Sequence, residues 1–383
     1  MVDDALLGAL VAFVLAAALT PLAARLARRV GAVDQPRDRG LAMQVTPLLG
    51  GLAIFAGAAV AGLLFLPDAD RYRAILAGAA VITVVGALDD WRALPPVWKL
   101  TGQLLAALIL VFGGVTVHDF TLPFVGRVAL GDLGEPLTLL GLVAIMNAVN
   151  FTDGVDGLAA GVCAISSAAF AVIAFDLQRR GAGVLALISG GAALGFLVHN
   201  FHPAAVFMGD CGSNLLGLLL GATIVEGSLK TNAVIALIVP LVVLAVPFMD
   251  TTFVVLKRLK YRRPVYSADA NHFHHRFARI GFSQRRTVGY LYAWTATMAG
   301  VAVAMRFVPY SDDHGHFRAG WTALMVGFLL VGLAASVYVV YTLEILKFKR
   351  FRMREDPGTD EHEIEAVIER ELETGEFQSL RRL

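Results

Sequence analysis

Charge is what this chain has least of. Asp, Glu, Lys and Arg make up 16% of its 383 residues and 57% are hydrophobic, whereas an ordinary soluble domain carries about 25% charged residues. That balance argues against a soluble globular fold and for a polytopic membrane protein. Cysteine is scarce too. Cys163 and Cys211 both fall in or beside apolar stretches, which speaks against a disulfide framework. The first apolar stretch lacks a small-residue cleavage pattern and follows the acidic pair Asp3-Asp4, so it reads as a retained helix and not a signal peptide. No internal repeat stands out. The net charge of +1 argues neither for nor against an acidic partner.

What is abundant is apolar span. Eleven segments are long and greasy enough to be spans: 5–24, 48–66, 74–88, 100–117, 135–149, 158–175, 183–198, 213–225, 232–256, 287–305 and 319–346. The expected fold is therefore all-α, with a transmembrane domain over residues 1–346 and a charged cytoplasmic tail over 347–383. Alternating the connections between two sides puts 21 Lys and Arg on one side and 8 on the other, apart from three in the distal tail. The positive-inside rule makes the richer side cytoplasmic. Residues 121–131 alternate weakly around a glycine and read as a small extracytoplasmic hairpin. Residues 361–372 have the apolar spacing of a short amphipathic helix.

Five aspartates interrupt this pattern, and all five fall on the predicted cytoplasmic side. Asp89-Asp90 follow the third span directly, either as a hard dianionic patch suited to Mg²⁺ or as a solvated helix end. In Asn147-Ala-Val-Asn150-Phe-Thr-Asp153-Gly-Val-Asp156-Gly157, Asn150, Asp153 and Asp156 recur every three residues, as groups on one helical face do. A plain Asn/Asp/Gly turn needs neither the two asparagines nor two carboxylates. Asp210 sits between glycines in Phe207-Met-Gly-Asp-Cys-Gly-Ser213, where it is a ligand candidate or serves a helix N-terminus. A fourth segment, His272-Phe-His274-His275-Arg276, lies amid nine basic residues in 257–286. It suits phosphate contact better than a transition-metal site, with lipid-headgroup attraction as the bland alternative.

Taken in order over eleven spans, these four motifs resemble those of the polyprenyl-phosphate N-acetylhexosamine-1-phosphate transferases, a superfamily that includes phospho-N-acetylmuramoyl-pentapeptide transferase. The resemblance covers residues 5–345, and His-x-His-His-Arg looks like the N-acetylglucosamine-1-phosphate branch. It implies transfer of a sugar 1-phosphate from a UDP-N-acetylhexosamine to polyprenyl phosphate, with release of UMP and with Mg²⁺ or Mn²⁺ as cofactor. It implies catalytic roles for Asp89, Asp90 and Asp210, and metal ligation by Asp210, helped by Asp90 and Asp156. Asp89 is then a base toward the polyprenyl phosphate, with an aspartyl-phosphate route left open. Asn150, Asp153 and Asp156 arrange nucleotide and metal, Phe207 stacks on the base, and His272, His274, His275 and Arg276 hold phosphate or sugar.

The implied partners are the two substrates and the bilayer, with a homodimer as the candidate assembly and no nucleic acid; the implied place is the bacterial cytoplasmic membrane. The chain departs from the family pattern at Gly40, Ala42, Gln44 and Ala270, where relatives commonly carry basic or imidazole groups. Fewer cations near a pyrophosphate predict weaker substrate binding. Two rivals stand beside the transferase. An ion-coupled transporter would need ionisable groups near mid-bilayer or on both faces, and an inactive scaffold would release no UMP.

Overall fold

The computed structural model describes residues 2–34, 45–122, 126–228, 284–308, 318–328, 330–332 and 334. Its helices are α1 (Val2–Val30), α2 (Gly50–Phe65), α3 (Asp70–Arg92), α4 (Pro96–Phe112), α5 (Gly134–Thr152), α6 (Leu158–Asp176), α7 (Arg180–Asn200), α8 (Gly209–Ser228) and α9 (Gln284–Phe307). Residues 319–328 are helical as well. Nine of the expected spans thus correspond to helices; 232–256, much of 319–346 and the 361–372 helix lie outside the described residues. Among the described residues, five helices are long and apolar enough to cross a bilayer, judged by length and composition.

Why these sequences pack is legible in α1. Its buried face is Ala5, Ala12, Ala16, Ala23, Ala24 and Ala27, and its exposed face carries Leu6, Leu7, Leu10, Val14, Leu22 and Leu26. Small residues point inward and large ones outward, the arrangement expected where lipid solvates the outside and close backbone approach drives helix association. α1 runs along α7 and α2. A side chain added at Gly191 or Gly195 of α7 would run into the α1 carbonyls of Ala9 or Phe13. α6 and α7 are mostly buried within the bundle, while α1 leaves most of its surface out. Four buried hydroxyls are satisfied locally: Thr20, Thr83, Ser189 and Thr223 each donate to the carbonyl four residues back.

Several boundaries differ from the hydropathy reading, for physical reasons. The third span was expected to be short, yet α3 runs on past its apolar stretch through Asp89-Asp90 to Arg92. α8 likewise begins at Gly209, so Asp210 lies in its first turn and Ser213 is inside the helix, not at its cap. α4 stops at Phe112, short of residue 117, because Gly113-Gly114 ends it and Gly114 adopts φ +87°. The expected hairpin is present as β3 (Asp119–Leu122) and β4 (Gly126–Ala129), paired antiparallel. A second antiparallel pair, unpredicted, joins β1 (Val33–Asp34) to β2 (Thr46–Pro47). β2 and the start of α2 are stitched onward to the segment before α8: the Phe207 N–H donates to the Pro47 carbonyl at 2.9 Å, and the Gly51 N–H to the Met208 carbonyl at 2.9 Å.

Candidate active site

Four helix ends meet around Asp210: the C-termini of α3 and α5 and the N-termini of α4 and α8. The first four amides of a helix have no partner within it. At α8 this need is met from α3. Asp90 Oδ1 accepts the Asp210 N–H at 2.7 Å, and its Oδ2 accepts the Cys211 N–H at 3.1 Å. Negative charge at a helix N-terminus is favourable, so Asp90 anchors α8 with both of its oxygens. The contact requires Gly209, whose φ is +71° and whose missing side chain would strike the Asp90 carboxylate. It also requires Gly86 and Gly51, where a methyl would overlap the backbone of Cys211 and Gly212.

With α8 so fixed, the Asp210 carboxylate faces two donors. Asn150 Nδ2 donates to its Oδ1 at 2.9 Å, and the Lys99 ammonium donates to its Oδ2 at 3.0 Å. Lys99 also sits 2.5 Å from Asp89 Oδ2, so a single ammonium bridges two of the five aspartates. Asp89 Oδ1 in turn accepts the Leu94 N–H at 2.6 Å, bracing the turn between α3 and α4. Behind this row lies an amide chain. Asn147 donates to Gln103, Gln103 donates to Asn214, and Asn214 donates to the Asp210 carbonyl, at 2.8, 2.8 and 2.9 Å. Asn150 also donates to Ser213 Oγ, at 2.9 Å.

Asp153 stands apart. It follows α5 directly, and the charges acting on it are those of Asp210, Asp90 and Asp156. Burial first, and then those three carboxylates, push its pKa up to about 8. A carboxyl held among carboxylates is a place where an added cation would be strongly favoured. Asp156 faces elsewhere: its Oδ2 accepts from His202 Nδ1 at 2.7 Å and from the Ala204 N–H at 3.1 Å.

Of the expected site residues, the structure therefore gathers Asp89, Asp90, Asn150 and Asp210 by direct bonds, with Asp153 alongside. Phe207 is half-buried two residues before α8, and its carbonyl accepts the Gly50 N–H. Among the described residues, no three Asp, Glu, His or Cys side chains form a ready-made metal cage. The expected ligand trio of Asp210, Asp90 and Asp156 is not assembled as one set, because Asp90 is committed to backbone amides and Asp156 to His202 and Ala204. His272, His274, His275 and Arg276, and the departures at Gly40, Ala42, Gln44 and Ala270, lie outside the described residues. Sequence reasoning missed Lys99 and Gln103. The signal was Pro95-Pro96, which starts α4 and puts Lys99 in its first turn, beside the end of α3.

Comparison with known proteins identifies the family. Residues 72–228, which contain all four helix ends, match the family described as "Glycosyl transferase family 4". The probable undecaprenyl-phosphate N-acetylglucosaminyl 1-phosphate transferase of Bacillus subtilis (strain 168) is 35% identical over 92% of this chain and 97% of its own length. The chain belongs to glycosyl transferase family 4. This family 4 transferase is also 38% identical to the decaprenyl-phosphate N-acetylglucosaminephosphotransferase of Mycolicibacterium smegmatis, over 83% of this chain and 82% of that one. It is 28% identical to the undecaprenyl-phosphate alpha-N-acetylglucosaminyl 1-phosphate transferase of Escherichia coli (strain K12), over 87% and 90%. The superfamily read from the motifs is thus shown, and the family 4 transferase is an enzyme of the glycosyl-1-phosphate transferase class.

Proposed function

We propose that the protein transfers N-acetylglucosamine 1-phosphate from UDP-N-acetylglucosamine to polyprenyl phosphate at the cytoplasmic face of a bacterial membrane. The carrying observation is Lys99 bridging Asp89 and Asp210 beside Asn150, at one end of the bundle. The polyprenyl phosphate is confined to headgroup level and the sugar nucleotide comes from water, so their meeting place must be a helix-end site of this kind. An oxygen of the lipid phosphate bonds to the phosphorus that carries the sugar. The bond from that phosphorus to UMP breaks, and UMP leaves with the electron pair.

Phosphoryl transfer of this type depends chiefly on positioning and on neutralising charge. Lys99 supplies one fixed positive charge, and Asp89 holds it in place, which gives Asp89 a further role beside that of base. Asp210 and Asp153, whose carboxylates act on one another, would hold a hard divalent ion, since Mg²⁺ binds through one or two carboxylates plus substrate phosphates. Mg²⁺ held there would screen the charge gathering on the pyrophosphate bridge and on departing UMP. Asp90 keeps α8, and with it Asp210, in position. Asn150 fixes the orientation of the Asp210 carboxylate.

The test is mass spectrometry of lipid products from purified protein, polyprenyl phosphate and a panel of UDP-sugars. A lipid diphosphate sugar with equimolar UMP is expected, best with UDP-N-acetylglucosamine, abolished by EDTA and restored by Mg²⁺ or Mn²⁺. Product from UDP-N-acetylmuramoyl-pentapeptide alone would move the assignment to the peptidoglycan branch. Proton flux in liposomes without UMP release would overturn it in favour of a transporter.

A further inference from the structure

One hydrogen-bond network, half-buried at His202 and Asp156, is not used by the transfer chemistry above. Asp156 lies in the loop between α5 and α6, and Asn200 to Val206 form the segment between α7 and the site. His202 Nδ1 lies 2.7 Å from Asp156 Oδ2, whose second donor is the Ala204 N–H. A carboxylate only accepts, so His202 presents its Nδ1–H. The next residue of the loop is held as well. The Gly157 N–H donates to Asn200 Oδ1 at 2.9 Å, and Asn200 Nδ2 donates to the Val206 carbonyl at 2.9 Å. From the far side α9 grips the same two places: the Tyr292 hydroxyl donates to the Gly157 carbonyl, and Arg285 donates Nε–H and Nη2–H to the His202 carbonyl at 3.3 and 3.2 Å.

We propose that His202 is a positioning residue for the transfer reaction, acting through Asp156. Its ring clamps the Asp153–Gly157 loop to the segment that carries Phe207 and Asp210, and its carbonyl ties both to the start of α9. Three stretches that the sequence separates by tens of residues then move as one body. The structural alternative, a histidine that merely fills space, does not require a hydrogen-bonding group at the Nδ1 position. The clamp does.

This inference rests on the transfer reading for its kinetic arm and stands alone for its exchange arm. In the purified full-length protein, His202→Ala is expected to raise hydrogen exchange at the Gly157 and Ala204 amides by about tenfold or more, as loss of a hydrogen bond to a charged group does. His202→Asn, whose amide nitrogen takes the place of Nδ1, is expected to stay within about threefold of wild type; His202→Gln, whose amide sits one carbon further out, is expected to behave like alanine. In turnover, His202→Ala is expected to raise KM for UDP-N-acetylglucosamine about tenfold, with kcat and the KM for polyprenyl phosphate within about twofold of wild type. Unchanged exchange in His202→Ala, or equal behaviour of the Asn and Gln variants, would overturn the clamp. Wild-type protein that releases no UMP from any UDP-sugar would sink the transfer reading, and the exchange arm would then decide the clamp by itself.

Discussion

Two aspartates of the same cluster are expected to respond in opposite directions to the same substitution. Asp90→Asn removes one of the two oxygens that accept the Asp210 and Cys211 amides and points an NH₂ group at an N–H. Losing a hydrogen bond costs roughly 0.5–1.5 kcal/mol and leaving its buried donor unsatisfied roughly 1–3 more, so the loss is about 2–4 kcal/mol. An apparent melting temperature should fall by roughly 2–5 °C. Asp153→Asn removes a carboxyl whose pKa is pushed up to about 8 by burial and by three neighbouring carboxylates. In the unfolded chain that group ionises near 4, so between about pH 4 and 8 the folded protein holds a proton that the unfolded chain releases. Wild-type stability is therefore lost as pH rises through that window, and the asparagine variant escapes the loss.

The gain should vanish near pH 4 and grow toward pH 8, with a ceiling of about 4 kcal/mol at pH 7 from about three units at 1.36 kcal/mol each. The assay is thermal unfolding of purified protein by intrinsic fluorescence, in detergent with EDTA, from pH 5 to 9. Adding Mg²⁺ should stabilise the wild type and narrow the gap between it and the Asp153 variant. Both variants are expected to lose UMP release. The reasoning fails if both shift the melting temperature the same way, or if the Asp153→Asn gain is independent of pH.

Further outcomes follow from the same geometry. Lys99→Met should cut kcat/KM for UMP release by about 10²–10³-fold, since it strips the positive charge held between Asp89 and Asp210. Asp89→Ala should lose a part of that same factor, and the double variant should lose less than the product of the two. Gly86→Ala pushes a methyl into the Cys211 backbone; it should reduce activity at least tenfold while the protein still inserts and purifies, read as UMP release per mole of folded protein. Normal turnover in Gly86→Ala would mean that the α3–α8 approach is not needed for the site.

Much of this was legible in residue order because lipid and water sort helices from loops so strongly. The apolar stretches gave the helices, and counting Lys and Arg put the five aspartates on one side. The structure does join Asp89, Asp90 and Asp210 at one end of the bundle, through Lys99 and the α8 amides. What stayed hidden was pairing between segments. Lys99 entered the sequence reading only as one of the loop charges, because its partners are 10 residues back and 111 residues ahead. Asp156 shared a motif with Asp153, yet turns to His202, and spacing within a segment carries no information about that choice. The early end of α4 was readable in Gly113-Gly114, a punctuation that hydropathy averaging erases.

The small-inside, large-outside build of the helices also decides where this chain can change over evolutionary time. In a soluble protein the surface drifts freely and the core tolerates swaps of similar volume. Here the outer faces, such as Leu6, Leu10 and Val14, need only stay greasy, so any apolar residue serves there. The seams have no volume to trade: at Gly51, Gly86, Gly191 and Gly195 the neighbour is backbone, and one methyl is already too much. Variation should therefore run along the lipid-facing stripes and stop at the glycines, tracing the helix contacts in any set of descendants of this sequence.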